Sequence, residues 1–221
     1  RDGSGSLSNT TTNITQGAAY KGGCYFPDPS YRFGAKFDTY YKFCYGGIHR
    51  VNYVIENTLK MIPNAKTEES KKKLETVIGE ARLLRGMIYF RLISMWGDVP
   101  YIDHVVYNQT EMDKIVRTSI AKIKDYIIED FNYAFEKLPV KSEQIGRASK
   151  PAALAFKGKL ELYWACWNHF GWPELDTFTP SEEEARKAYK AAADDFHAVI
   201  NDYGLNLFRN GEPGEWGELD D

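Results

Sequence analysis

Apolar residues recur at steps of three and four along most of this chain, which is the spacing of an amphipathic helix. The pattern predicts five helices, over about 35–61, 67–96, 118–138, 150–169 and 179–203. In the second of them, for example, Leu84, Ile88 and Met95 fall on one stripe that we expect to face the core. No segment alternates between apolar and polar residues as a half-buried strand does, so the sequence predicts an all-α fold.

The ends of these helices carry recognisable signals. Thr67 followed by two glutamates is a helix N-terminal signature, and Gly97 with Pro100 just beyond it is a stop. The run Thr179–Pro180–Ser181–Glu182 has the spacing of a capping box with proline at the first helical position. We therefore expect the fifth helix to begin at Thr179.

Five helices joined by short or moderate connections predict a stack of helical hairpins. Small residues such as Gly86 and Gly158 lie where a neighbouring helix must come close. Helix pairs that bury their apolar stripes only by stacking are typical of a tetratricopeptide-like solenoid, although here the units are unequal in length. The fifth helix has no partner after it, so we expect further protein, in this gene or as a second chain.

Composition narrows the picture in three ways. Residues 1–34 are rich in Ser, Thr, Asn, Gly and aromatics and predict an irregular loop region, whereas 35–221 predict the helical scaffold. The net charge of -3 argues against a nucleic-acid-binding protein, which normally has a basic face. Cys24, Cys44 and Cys166 show no metal-ligand spacing, and their odd number argues against a disulfide framework.

One segment resembles the SusD/RagB family closely. The sequence E-A-R-L-L-R-G-M-I-Y-F-R-L at 80–92, followed by W-G-D-V-P-Y at 96–101, is similar to the family's E-A-R-x-L-R-A-x-x-Y-F-x-L stretch and its aromatic–G-D-V-P turn. The match departs at Gly86, where the family usually has alanine. In this turn we expect Gly97 to adopt a conformation that suits glycine, and Asp98 to cap a nearby backbone or to pair with Arg82 or Arg85.

Four further segments resemble family elements in the right order. The sequence I-H-R-V-N-Y-V-I-E at 48–56 is similar to I-x-x-x-N-x-x-I-E, and I-I-E-D-F at 127–131 with L-P at 138–139 is similar to I-I-E-D-L…L-P. The helix start G-R-A-S-K at 146–150 is similar to the next family helix, and Y-K-A-A-A-D at 189–194 with V-I at 199–200 is similar to the one after it. Five ordered motifs over about 48–200 identify the chain as a member of this family.

The resemblance implies an all-α, tetratricopeptide-like scaffold and a nutrient-binding role. Family members are lipid-anchored on the outer face of the outer membrane of Bacteroidetes. They bind glycans, or in some cases peptides, and deliver them to a SusC-like TonB-dependent transporter. The resemblance therefore implies a glycan ligand, a transporter as partner, and an N-terminal lipid anchor that is not in this chain, since Cys24 is not a credible anchor.

The sequence nominates no catalytic residue, no metal ligand and no cofactor. It contains none of the metalloprotease, phosphate-binding-loop, hydrolase or dinucleotide motifs. The four histidines are scattered without ligand spacing. Neighbouring carboxylates such as Glu129–Asp130 and Asp194–Asp195 point in different directions on a helix, so we expect them on solvated faces.

Loop aromatics are the candidate ligand-binding residues. Tyr25, Tyr31, Arg32 and Phe33 lie in a Gly/Pro-rich segment where no periodic pattern requires aromatics, and Tyr41 follows on the first helix. Sugar rings stack their apolar faces on such side chains, while Arg, Asp and Asn bind the hydroxyls. Equally, these residues would serve to plug the end of the scaffold. A second cluster, mostly on a helical stripe, favours core or partner packing: Tyr163, Trp164, Trp167, His169, Phe170 and Trp172.

Three functions remain in competition at this stage. The first is surface glycan binding for uptake, without enzymatic activity. The second is a peptide-binding uptake component or a generic tetratricopeptide-like adaptor, which would show no affinity for sugars. The third is an all-helical carbohydrate-active enzyme, which requires two opposed carboxylates roughly 5–10 Å apart. The ordered motifs favour the first.

Overall fold

The structure is a computed structural model that describes residues 34–171 and 178–206. The chain divides into two compact units, Arg1–Tyr45 and Gly46–Asp221, and each is described by itself. The described backbone is mainly helical, so the predicted all-α fold is confirmed.

The five long helices follow one another in the order predicted from the periodicity, with short elements between them. The order is α1 Gly34–Met61, a 3-10 turn Ile62–Asn64, α2 Glu68–Trp96, β1 Val99–Pro100, the single-turn α3 Gln109–Met112, β2 Arg117–Thr118, α4 Ile120–Lys137, α5 Lys150–Phe170, α6 Glu182–His197 and a π-helical turn Ala198–Asp202. The five long helices therefore lie within a few residues of their predicted positions.

Successive helices pack on one another within the second unit. Helix α2 packs on α4, α4 on α5, and α5 on α6, as expected of stacked helical hairpins. The part of α1 in this unit contacts α2 through a small buried cluster that includes Val51, Ile55, Ile78 and Ala81. The core of the second unit therefore lies between consecutive helices, which is the arrangement that amphipathic stripes produce.

The buried face of α2 differs from the predicted stripe. Leu84 and Met95 are 50% and 45% exposed, whereas Leu83, Tyr89 and Ile93 are buried. The reason is that α2 packs against both α1 and α4, so its buried arc is wider than one stripe and is centred elsewhere. The prediction that Leu84 and Met95 face the core is wrong.

The W-G-D-V-P turn ends α2 and is hydrogen-bonded to the start of α4. Gly97 ends α2 with φ of 66°, a left-handed conformation that favours glycine. Asp98 Oδ1 accepts a hydrogen bond of 2.8 Å from the backbone N–H of Ile120, the first residue of α4. The predicted capping role of Asp98 is confirmed, and it caps the helix that follows β2.

Helix α6 begins later than predicted. The N-cap residue is Ser181, whose hydroxyl accepts a hydrogen bond from the backbone N–H of Glu184 at 3.2 Å, and the helix starts at Glu182. Thr179 is therefore not the cap, and Pro180 precedes the helix. The first turn carries three glutamates, which are favourable next to the positive end of the helix dipole.

One short pair of strands was not predicted. β1 and β2 pair antiparallel, with Val99 opposite Thr118 and Pro100 opposite Arg117. Two residues are too few to show an alternating pattern, so no sequence signal marks this ladder. The paired strands bring together the two ends of segment 101–116, which includes α3 and connects β1 to β2.

Candidate functional site

Most of the predicted ligand-binding residues lie outside the described part of the chain. This applies to Tyr25, Tyr31, Arg32 and Phe33. Tyr41 lies on α1 within the first unit, where it is partly buried and its ring centroid is 4.7 Å from that of Tyr45, at an angle of 46°. The grouping of these five residues into one site remains a prediction.

The second aromatic cluster divides between packing and exposure. Trp164 is buried, and the ring of Tyr163 meets that of Phe90 edge-on at 5.4 Å, so these two side chains pack between helices as expected. Trp167 meets Phe178 edge-on at 5.3 Å. The expectation is therefore confirmed for this part of the cluster.

The far end of the same cluster is exposed. Phe170 is 73% exposed at the end of α5, so it does not pack into the core, and partner packing stays a prediction there. His169 is exposed and its Nδ1 lies 2.8 Å from a carboxylate oxygen of Glu182 on α6. Trp172 lies outside the described residues.

A buried ion pair links α2 to α4. The Arg85 guanidinium donates through Nε and Nη2 to both oxygens of Asp130, each at 2.7 Å. Asp130 is 2% exposed, so the expectation that Glu129–Asp130 lies on a solvated face is wrong for Asp130. Burial alone lowers the pKa of Arg85, but the hydrogen bonds and charge of Asp130 outweigh it and raise that pKa overall.

A second adjacent carboxylate pair behaves in the same way. Asp195 is 8% exposed and accepts hydrogen bonds of 2.7 and 2.5 Å from Lys157 Nζ on α5, whereas Asp194 is exposed. The predicted solvated face is again wrong for one member of the pair. The spacing along one helix could not reveal these partners, which lie on neighbouring helices.

The Arg85 ion pair also fixes the loop that follows β1. Arg85 Nη1 donates to Asn52 Oδ1 at 2.9 Å and to the carbonyl of Asp103 at 3.1 Å. The amide of Asn52, 1% exposed, donates in turn to the carbonyls of Ile102 and His104 at 2.9 and 3.0 Å. Three consecutive loop carbonyls are thus held by buried side chains from α1 and α2.

Two tyrosines also hold the backbone of the loop that follows β1. The hydroxyl of Tyr89, which is fully buried, donates to the carbonyl of Ile102 at 3.1 Å and accepts from its N–H at 2.6 Å. The ring of Tyr101 stacks on that of Tyr126 on α4, with centroids 4.3 Å apart. The loop backbone at 101–104 is therefore anchored on α1, α2 and α4 together.

The outer side of this loop carries a histidine between two carboxylates. His104 Nδ1 lies 2.8 Å from Asp103 Oδ1, and Nε2 lies 2.9 Å from Glu111 Oε1. The second oxygen of Glu111 accepts a hydrogen bond of 3.2 Å from the backbone N–H of Tyr107. The hydrogen bond with Asp103 and then that with Glu111 raise the pKa of His104 above its ordinary value of 6.5.

Tyr107 connects the loop to α1. Its hydroxyl donates to Glu56 Oε1 at 2.7 Å, and the same oxygen accepts from Lys60 Nζ at 2.9 Å. These hydrogen bonds, that from Tyr107 first, lower the pKa of the Glu56 carboxyl, and the Glu56 bond raises the pKa of Tyr107 and of Lys60. Tyr53 precedes Glu56 by one turn of α1 and is 55% exposed.

These exposed and partly exposed groups form one surface, which we call the Tyr107 platform. It consists of Tyr53, Glu56, Lys60, Asp103, His104, Tyr107 and Glu111. The sequence analysis did not nominate these residues. A signal was present in Tyr107, an aromatic residue outside any periodic stripe, and in Tyr53, an aromatic on the polar side of a predicted helix.

The described residues contain neither a cluster of metal ligands nor a membrane-spanning helix. Within 34–171 and 178–206, no group of three or more His, Cys, Asp or Glu side chains is placed to hold a metal ion. Over the same described residues, no helix has the length and apolar character needed to cross a membrane.

Comparison with known proteins places this geometry in a family. The sequence profile of the SusD-like family, described as starch-binding and associating with the outer membrane, matches residues 8–162. A SusD-like protein of Bacteroides ovatus is 31% identical over 170 residues, which are 76% of this chain and 28% of that protein. SusD-like protein P2 of Formosa agariphila is 34% identical over 96 residues, 42% of this chain and 19% of that protein.

Solved structures resemble the chain at the level of the fold. A crystal structure with a xylogluco-oligosaccharide matches with a TM-score of 0.60 and 25% identity, over 76% of this chain and 30% of that one. A SusD-like carbohydrate-binding protein of Bacteroides fragilis matches with a TM-score of 0.56 and 26% identity, over 77% and 28%. A SusD homologue of Bacteroides thetaiotaomicron, at 24% identity, gives a TM-score of 0.64 over 79% and 31%. The chain thus spans less than a third of the length of each of these proteins.

Proposed function

The chain belongs to the SusD-like family, and on that premise we propose that it is part of a surface glycan-binding protein of a Bacteroidetes nutrient-uptake system. The protein would capture an oligosaccharide or polysaccharide and deliver it to a SusC-like TonB-dependent transporter. The observation that carries the proposal is the family match over 8–162, together with a similar structure that contains a xylogluco-oligosaccharide.

We propose that the protein is not an enzyme. Glycoside hydrolysis needs a pair of carboxyl groups, one to donate a proton and one to act as base or nucleophile. The two buried carboxylates of the described residues, Asp130 and Asp195, are each held by a basic side chain of the neighbouring helix. Both carboxylates are therefore engaged in ion pairs between neighbouring helices.

The location follows from the family description, which associates its members with the outer membrane. We propose that this protein is attached to the outer face of that membrane by a lipid anchor at its mature N-terminus. The transporter would then lie beneath it as its partner. We also retain the proposal that the loop aromatics contact the ligand: Tyr25, Tyr31, Arg32, Phe33 and Tyr41.

Affinity electrophoresis of the whole protein tests this proposal. The protein is run through native gels that contain starch, xyloglucan, laminarin, polygalacturonate or alginate, and the samples are assayed for released reducing sugar. Retardation by at least one polysaccharide without hydrolysis is the expected result. Release of sugar would make the protein an enzyme. Absence of retardation in every gel would favour a peptide-binding uptake component or a generic helical adaptor.

Substitutions locate the contact within the protein. Tyr31→Ala and Tyr25→Ala are expected to reduce the retardation, because each removes a ring on which a sugar can stack. Phe170→Ala is the matched control, since Phe170 is 73% exposed at the end of α5 and is not among the residues proposed to bind ligand. Equal mobility of the three variants and the unaltered protein would remove the loop aromatics from the site.

A further inference from the structure

We infer that the Tyr107 platform is an additional glycan contact site, which takes uncharged sugars. The inference rests on the proposed function and goes beyond it, because none of these residues belongs to the loop predicted to bind ligand. Four observations support it: exposed aromatic rings, a rigid backbone beneath them, hydrogen-bonding groups of both kinds, and a surplus of negative charge.

The first observation is the exposure of two large aromatic side chains. Tyr107 is 67% exposed and Tyr53 is 55% exposed, although an aromatic ring is normally buried for its large apolar surface. Tyr107 lies in the loop between β1 and α3, where no helical stripe requires it. Exposed tyrosine rings offer the apolar faces on which the C–H groups of a sugar ring can stack.

The second observation is that Tyr107 is held at both ends before any ligand arrives. Its hydroxyl is bonded to Glu56 on α1, and its backbone N–H is bonded to Glu111 on α3. The preceding loop carbonyls are fixed by Asn52 and Arg85. A ring that is already ordered loses little conformational freedom on binding, and this favours affinity.

The third observation is the mixture of donors and acceptors around the rings. Sugar hydroxyls both donate and accept hydrogen bonds, so a sugar site needs groups of each kind. Lys60, whose side chain is 64% exposed, supplies N–H donors beside Tyr107. Glu56, Glu111 and Asp103 supply carboxylate oxygens.

The fourth observation decides the class of sugar. Three carboxylates, those of Glu56, Asp103 and Glu111, face two basic groups, Lys60 and His104. The surface therefore has a negative surplus even when His104 is protonated. A negatively charged ligand is repelled by this surface, and because the carboxylates are close to solvent the repulsion is moderate. An uncharged sugar avoids this repulsion, whereas a uronate or a sulfated sugar does not.

The test substitutes the two tyrosines of the platform in the whole protein. The dissociation constant for the retarding polysaccharide is measured by affinity electrophoresis for Tyr107→Ala, Tyr53→Ala and the double variant. We expect on the order of tenfold weaker binding for Tyr107→Ala, in line with the loss of one aromatic contact. Tyr107→Phe keeps the ring and loses only the bond to Glu56, so it is expected to lie between Tyr107→Ala and the unaltered protein.

Controls separate this inference from the proposed function. Phe170→Ala reports the effect of removing an exposed aromatic ring elsewhere, and thermal unfolding of each variant reports whether the fold is kept. If the protein binds a polysaccharide and Tyr107→Ala and Tyr53→Ala bind it equally well, the platform is refuted and the proposed function stands. If the unaltered protein binds none of the polysaccharides, both are refuted.

The polysaccharide panel tests the class of sugar independently. The uncharged polymers, starch, xyloglucan and laminarin, are the ones whose binding is expected to depend on Tyr107. Dependence on Tyr107 for polygalacturonate or alginate alone would contradict the assignment of uncharged sugars. Weaker retardation by those two acidic polymers, unchanged by the tyrosine substitutions, is the expected result.

Discussion

Replacing Gly86 with alanine is expected to destabilise the protein, although alanine is the better helix former. A Cβ atom at Gly86 in α2 would lie 2.5 Å from Cε1 of Phe131 and within 3.1 Å of two more atoms of its ring. Phe131 is fully buried in α4, and Phe156 of α5 lies beyond it with ring centroids 6.3 Å apart. The ring therefore cannot retreat without disturbing the next helix.

The expected magnitude is the balance of two opposing effects. Overpacking a core by one methyl group costs about 1–3 kcal/mol, and the severe contact in a fully buried place puts this change in the upper part of that range. Exchanging glycine for alanine inside a helix contributes about 1 kcal/mol in the opposite direction. The free energy of unfolding should therefore fall by about 1–2 kcal/mol.

Urea unfolding of the protein, followed by circular dichroism, measures this change. Gly46→Ala in α1 is the matched control, because among the described residues a Cβ there would meet only the tip of Arg50, at 4.0 Å. The control should be unchanged or stabilised by up to about 1 kcal/mol. Equal or higher stability of Gly86→Ala would refute the packing argument.

A second substitution, at Phe131, tests whether the stability lost in Gly86→Ala can be restored. The SusD/RagB pattern has alanine and leucine where this chain has Gly86 and Phe131, so the two residues form a matched pair in this protein. Phe131→Leu frees the space that the alanine methyl needs. The double variant should be more stable than the sum of the two single changes predicts, by about 1 kcal/mol or more. Simple additivity of the two changes would show that the residues do not compete for space.

Two further predictions concern the charged groups beneath and around the loop. Asp130→Asn should lower the free energy of unfolding, measured with urea, by about 3–5 kcal/mol, because it leaves the Arg85 charge buried without its partner. The control Glu129→Gln, at an exposed neighbouring residue, should change this free energy by less than about 0.5 kcal/mol. Similar losses in both variants would contradict this prediction. Because the pKa of His104 is raised in the fold, its contribution to stability is fully present below pH 6.5 and is lost as the pH rises through the folded pKa. Titration of the imidazole by NMR should give a lower pKa in Glu111→Gln, and an unchanged pKa would show that the contact with Glu111 does not form in solution.

Local signals in the sequence were sufficient to predict the helices, but they did not predict which face of α2 is buried. Threonine at 67 accepts the hydrogen bond of Ser70 N–H as its position predicted, because capping depends on neighbours within one turn. Leu84 and Met95 were misassigned because the packing of α2 against two helices is a tertiary property. The N-cap of α6 was predicted at Thr179 but is Ser181, because two hydroxyl residues close together in the sequence are alternative caps.

The candidate site was harder to predict, for reasons that lie in long-range contacts. Asp130 was predicted to lie on a solvated helix face because its partner Arg85 is 45 residues away and on another helix. Tyr107 reaches Glu56 across 51 residues, and no local pattern marks such a pair. Exposed aromatics outside helical stripes are the signal that could have found Tyr107, and the same signal nominated Tyr31.

The measurement that tests the account most directly is the mobility of the whole protein in native gels with and without each polysaccharide, with released sugar assayed in the same samples. We expect that at least one uncharged polysaccharide retards the protein and that no sugar is released. Unchanged mobility in every gel, or release of sugar from any polysaccharide, would contradict a glycan-binding protein without enzymatic activity.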